Sequence, residues 1–144
     1  KVPILEIDGV VLPQSVAILR FAGREAGLYP VNDPVAAAQC DAVIDGLTDI
    51  QVRSKREIEQ KMEVMESERL KAVLRKELND TILPASLAQF QRLLLASGKG
   101  DWFVGDRMSI ADIAVSTRLK WFRSGVLDGI EVGVCDAFPA LVAL

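Results

Sequence analysis

Lys1-Val2-Pro3-Ile4-Leu5-Glu6-Ile7-Asp8-Gly9-Val10-Val11-Leu12-Pro13-Gln14-Ser15-Val16-Ala17-Ile18 changes period once, at Gln14, and that change decides the fold. Val2 to Ile7 and Val10 to Leu12 are aliphatic and β-branched runs, separated by the two residues Asp8-Gly9. Such a pair between two strand-like runs signals a type I′ hairpin, because both turn positions need a positive φ that Asp and Gly tolerate. From Gln14 to Ala26 the spacing becomes helical. Ala17, Ile18, Phe21 and Ala22 recur on one face, Arg20 and Arg24 lie four apart, and Gly27 supplies a C-terminal stop. The opening unit therefore reads strand, turn, strand, helix.

Working outward, Leu28 to Asn32 with its Tyr29-Pro30 pair is a linker, and Asp33-Pro34 is an N-cap followed by proline at the first helical position. Ala36, Cys40, Val43, Leu47 and Ile50 then form one apolar stripe of a long helix, with Asp41, Asp45 and Asp49 on another face. Between Arg53 and Asp80 charges of both signs interleave, the pattern of a solvated helix with i, i+4 pairs. A second long helix runs through Leu83 to Ala96, with Pro84 as a kink or a fresh start. Ser97-Gly98-Lys99-Gly100 reads as a loop, since it matches no phosphate-binding glycine motif and follows no strand. The best-specified helix start is at Met108 to Ile113: Ser109 stands three before Asp112, a capping box, and Met108 and Ile113 occupy the staple positions. Ile110, Ile113, Ala114 and Leu119 of that helix are expected at the centre of the bundle, and Trp102 and Trp121 in the packing. Asp136 is expected to cap a last helix through Phe138-Pro139-Ala140.

Composition bounds the chemistry. The chain has 144 residues, 50% of them hydrophobic, which is enough to bury a core without metal or disulfide staples. A net charge of −3 with no concentrated basic face argues against nucleic-acid or anionic-membrane partners. There is no histidine, which removes His-dependent nucleophile systems and the commonest metal ligand, so no metal site is expected. Cys40 and Cys135 stand far apart with no CxxC neighbour, which fits a reducing, cytoplasmic setting; Cys40 lies in the apolar stripe as a small buried hydrophobe. No apolar run approaches the ~20 residues that span a bilayer, and the first residues lack signal-peptide character. The chain starts at Lys1 in full strand character and stops at Leu144 without a polar tail, and it reads as a fragment cut inside a fold. Asn79-Asp80-Thr81 fits the glycosylation triplet, with little weight in the absence of a secretory signal.

Lys1 to Gly9 with its Val2-Pro3 pair, then Gln14-Ser15-Val16-Ala17-Ile18, then Phe103-Val104-Gly105-Asp106 with Ser109-Ile110-Ala111-Asp112, resemble the cytosolic glutathione transferases, in the right order across essentially the whole chain. The resemblance implies a mainly α chain: the β-β-α end of a thioredoxin-like domain over residues 1–29, then an all-α C-terminal domain over 33–144. It also implies that a strand, helix, strand unit precedes Lys1 in a family member, and that this part holds the Tyr, Ser or Cys that activates the thiol.

The same resemblance assigns roles. Val2 and Pro3 would hold the cysteinyl unit of glutathione; a cis X-Pro turn there leaves the Val2 N–H and C=O facing outward to pair with a peptide, whereas the plain alternative is an edge strand starting at proline. Gln14 and Ser15 open a helix whose positive end suits the γ-glutamyl carboxylate, the plain alternative being N-capping by Ser15. Asp49 matches the acidic residue that in several classes reaches the glutamyl ammonium held by the other subunit, with a solvated acidic face as its alternative. A homodimer follows from the resemblance, with Arg20 and Arg24 as candidate subunit contacts, and Gln14, Ser15 and Asp49 favour the Tyr-type classes. The expected activity is conjugation of reduced glutathione, the co-substrate, to small hydrophobic electrophiles. A non-catalytic assembly or structural module of the same fold, and a glutathione-dependent isomerase or peroxidase, stay open beside it.

Overall fold

The computed structural model describes residues 3–62, 67–97, 101–127 and 129–144, with side chains from 3–50 and from 72 onward within those ranges. Strands β1 (Ile4–Ile7) and β2 (Val10–Pro13) pair antiparallel, with Ile7 opposite Val10 and Ile4 opposite Pro13. Asp8 and Gly9 both take positive φ, 49° and 81°, as the expected two-residue turn requires.

Helix α1 (Ser15–Glu25) follows directly and ends in a Schellman motif. The Leu28 N–H donates to the Gly23 carbonyl at 2.8 Å and the Gly27 N–H to Arg24 at 3.2 Å, with Gly27 at φ 69°. The chain then turns into α2 (Pro34–Met62), whose first turn is capped by Asp33 Oδ1 accepting from the Val35 and Ala36 N–H groups, both at 3.0 Å. The expected apolar stripe of α2 is the core-facing one: Cys40, Val43, Leu47 and Ile50 are buried and Ala36 packs partly against them.

Helices α3 (Ser67–Glu77) and α4 (Leu83–Ala96) are joined without a break by a π-helical turn, Leu78–Ile82. Pro84, which lacks an N–H and crowds the preceding turn, is thus accommodated by widening the helix: Leu83 N–H reaches back five residues to the Leu78 carbonyl. Of the charged stretch, the side chains of 51–71 lie outside the described residues, whereas Lys76 and Asp80 form the expected i, i+4 pair. Gly98, Lys99 and Gly100 also lie outside them. Ser97 ends α4 by donating its hydroxyl to the Leu94 carbonyl.

Helix α5 (Ile110–Phe122) runs through the middle of the helical domain, where Ile110, Val115, Leu119 and Phe122 are buried. Ile113 and Ala114, expected at the centre, are only half-buried and line a surface cleft instead. A 3-10 turn (Val132–Cys135) and the short α6 (Pro139–Val142) close the bundle against α4 and α5. Phe138, not Asp136, occupies the N-cap of α6 and no side chain caps it; Asp136 ends the preceding 3-10 turn because that turn intervenes where a direct helix start was expected. The architecture is the β-β-α end of a thioredoxin-like domain followed by an α-helical C-terminal domain. Among the described residues no helix is long and apolar enough to cross a membrane.

Candidate functional site

The hairpin and α1 place the first candidate residues. Because Ile4 pairs with Pro13, Pro3 just before β1 and Gln14 just after β2 emerge at the same end of the hairpin, both exposed. Val2 lies outside the described residues, so the Val2-Pro3 bond does too. Gln14 is the N-cap of α1 but takes φ 77° and ψ 118°, a sparsely populated backbone for a residue with a Cβ. Such strain persists where surrounding structure enforces it and gathers at ligand-binding positions. Gln14 makes no side-chain cap bond, and Ser15, the first residue inside α1 and not its N-cap, is exposed. The capping alternative for Ser15 therefore does not describe this helix end. The first N–H groups of such a helix have no partner within it, and the positive end of the helix dipole lies there.

Beside Ser15 lies a cleft of about 330 Å³, walled by Val16 and Leu19 of α1, Ile44 and Leu47 of α2, and Ala114 and Trp121 of α5. Trp121, expected in the packing, is 44% exposed at its mouth, with the Arg118 guanidinium 5.3 Å from its ring centroid. Burial holds Arg118 below the ordinary arginine range. Thr48 also lines this cleft, and Asp49 is the next residue along α2, exposed to solvent.

The acidic face of α2 is not simply solvated. Arg20 of α1 donates from Nε to Asp41 Oδ1 at 2.6 Å and from Nη2 to Asp45 Oδ1 at 2.8 Å, so two of the three aspartates bind α1. Burial alone would lower the Arg20 guanidinium; the Asp45 and Asp41 carboxylates more than offset it and leave it raised. Tyr29, 6% exposed, donates its hydroxyl to Asp41 Oδ2 at 2.9 Å, and Arg24 stacks 4.8 Å from the Tyr29 ring centroid. Burial first, then the Asp41 carboxylate, push the Tyr29 phenol upward. Tyr29 is the sole tyrosine of the sequence. Its one hydroxyl proton is committed to Asp41, which leaves none to donate to a thiolate. Arg20 and Arg24 thus have partners within the chain, which their spacing did not reveal.

The Ser109–Asp112 pair forms the expected reciprocal box, and more. Asp112 Oδ2 accepts from the Ser109 N–H at 2.7 Å and from the Ser109 hydroxyl at 2.8 Å, while Ser109 Oγ accepts from the first-turn backbone, with Ala111 N at 3.2 Å. Asp112, 2% exposed, also accepts from the Phe103 N–H at 2.8 Å through Oδ1 and so ties the preceding loop to α5. Cys40, at 0% exposure, sits against this helix start; burial raises its thiol despite contacts from Ser109 and the Ala111 N–H, as befits a packing residue and not a nucleophile. Asn79 is buried, donates to Asp80 and accepts the Glu131 N–H at 2.8 Å, so its amide has no room for a glycan.

Comparison with known proteins assigns the family. The family model described as "Glutathione S-transferase, C-terminal domain" matches residues 58–144. The chain is 32% identical over 147 residues to the hematopoietic prostaglandin D synthase of Gallus gallus, covering 100% of this chain and 64% of that protein. It is 32% identical over 144 residues to glutathione S-transferase P of Homo sapiens, covering 99% of this chain and 61% of that one. The structure of the pi-class glutathione S-transferase of Onchocerca volvulus superposes with TM-score 0.74 at 28% identity, over 99% of this chain and 62% of that one. The chain belongs to the glutathione S-transferase family, and it spans less than two thirds of the length of these relatives.

Proposed function

We propose that the protein carrying this chain is a glutathione transferase, and that the chain contributes the γ-glutamyl end of the glutathione site. The observation that carries the reading is the start of α1: a strained Gln14 and an exposed Ser15, neither used as a cap, at a helix end that attracts anions. In this reading the glutamyl carboxylate takes the Gln14 and Ser15 groups, the Val2-Pro3 backbone pairs with the cysteinyl unit, and Asp49 meets the glutamyl ammonium across a homodimer. Bound thiolate then attacks an electrophilic carbon of a small hydrophobic molecule, forming a C–S bond as the leaving group or π electrons depart. The residues are expected to divide at the Tyr29 linker into a glutathione-binding part, 1–29, and a helical part, 33–144, in a cytoplasmic enzyme needing no metal.

In this reading the thiol-activating group lies outside residues 1–144, which the engagement of the tyrosine and both cysteines of this chain supports. Tyr29 is engaged with Asp41, and Cys40 and Cys135 are buried with raised thiol values. A second reading, an isomerase using the same thiolate on another acceptor, is supported by the likeness to the chicken prostaglandin D synthase. The test is conjugation to a general electrophile: the intact protein should exceed the no-protein rate, and residues 1–144 alone should not. An inactive intact protein that still binds glutathione would leave the non-catalytic module in possession.

A further inference from the structure

The Arg20, Asp41 and Tyr29 contacts join three elements at one carboxylate. Asp41 of α2 receives Arg20 from α1 on Oδ1 and Tyr29 from the linker on Oδ2. Its neighbour one turn on, Asp45, takes the second arm of the same guanidinium. Ion pairs this exposed contribute little to stability, yet the fork fixes both the rotation and the height of α1 against α2. Val16 and Leu19 also pack α1 against the core, and a further anchor is steric. Gly23 presses against Ile110, where a Cβ would stand 2.2 Å from Cγ2, so at this point only the Ile110 side chain separates α1 from the first turn of α5.

We propose that Arg20 and Tyr29 are positioning residues for the anion-binding start of α1, holding Ser15 in register through Asp41. This rests on the reading of that helix end as the glutathione carboxylate site. From the Gly23 pivot to Ser15 is eight residues of helix, roughly 12 Å at 1.5 Å per residue. With the latch released, a swing of only ~5° about Gly23 carries Ser15 by ~1 Å, a misplacement large enough to matter for an oriented hydrogen bond. Tyr29 keeps Asp41 facing α1: with one oxygen held by the phenol, the other is presented to Arg20.

The test is calorimetric titration of glutathione into the intact protein as wild type, Tyr29→Phe, Arg20→Gln and Arg20→Lys, each with and without Ser15→Ala. Arg20→Gln is expected to weaken binding by about three- to tenfold and Tyr29→Phe by about two- to threefold, the scale of a misplaced site that still exists. Arg20→Lys should recover part of the loss, because an ammonium keeps one of the two carboxylate contacts. In the Ser15→Ala background the effect of Arg20→Gln should shrink, because one of the donors that the latch positions is already gone, which a general loss of stability would not produce. Unchanged affinity in folded Tyr29→Phe and Arg20→Gln, or losses that persist in full without Ser15, overturn the latch while the Ser15 site stands. A wild type that does not bind glutathione overturns both. Should Arg20→Gln fail to fold, Tyr29→Phe, which removes one hydroxyl, decides the matter alone.

Discussion

Gly23→Ala should destabilise the protein even though alanine is the better helix former. Gly23 is an interior residue of α1, where replacing glycine by alanine ordinarily favours the helix by about 1 kcal/mol. Here the new methyl would lie 2.2 Å from Ile110 Cγ2, far inside van der Waals contact. Ile110 cannot step aside. It is β-branched and stiff at χ1, 1% exposed, and its own N–H is tied to the Leu28 carbonyl at 3.0 Å. Either α1 lifts away from α5 or the start of α5 shifts and disturbs the Ser109–Asp112 box. Overpacking of this kind costs about 1–3 kcal/mol, and at the upper end it exceeds the propensity gain by about 2 kcal/mol. Urea melts read as midpoints at unchanged slope would measure it. Ile110→Ala alone costs about 2–5 kcal/mol through its cavity, but combined with Gly23→Ala the total should fall about 2 kcal/mol below the sum, because the two changes share one space. A Gly23→Ala protein more stable than wild type, or full additivity of the pair, would refute the close approach of the two helices.

Asp112→Ala should cost at least about 2 kcal/mol and Ser109→Ala about 1, non-additively, since Asp112 alone satisfies the buried Phe103 N–H; denaturant melts of both singles and the double check the order. Gly27→Ala should cost about 1–2 kcal/mol by forcing a Cβ onto the positive φ of the Schellman turn, measured the same way. Tyr29 should titrate above the ordinary ~10 of a tyrosine. Because folding raises this phenol, its contribution to stability is intact below pH ~10 and is lost as pH climbs through the folded value. The difference in phenolate absorbance between wild type and Tyr29→Phe reads this, and the value should return to ordinary on unfolding and drop toward it in Asp41→Asn.

The hairpin, the helix starts at Asp33 and Ser109 and the apolar stripe of α2 were legible because each is written in a few adjacent residues obeying local rules. The latch was not. Asp41 is 21 residues from Arg20 and 12 from Tyr29, and spacing along one helix says nothing about which partner crosses to it; the charged stripe looked solvated for that reason. Asp112 was legible as a cap but not as the acceptor of Phe103, nine residues earlier, a bond made by the loop's return. Pro84 marked an irregularity whose form, a π turn inside a continuous helix, depends on packing that no local pattern encodes. At the proposed site, the Gln14-Ser15 pair is legible as the start of a helix, while the strained backbone of Gln14 appears only in three dimensions.

Calorimetric titration of glutathione into the intact protein, comparing wild type with Gln14→Ala plus Ser15→Ala, tests the central claim most directly. Loss of the side-chain partners of a carboxylate should weaken binding by about 1.5–3 kcal/mol, roughly ten- to 150-fold in Kd, with folding intact because neither side chain caps α1. Unchanged affinity in a folded double mutant would show that the start of α1 is not where glutathione is held.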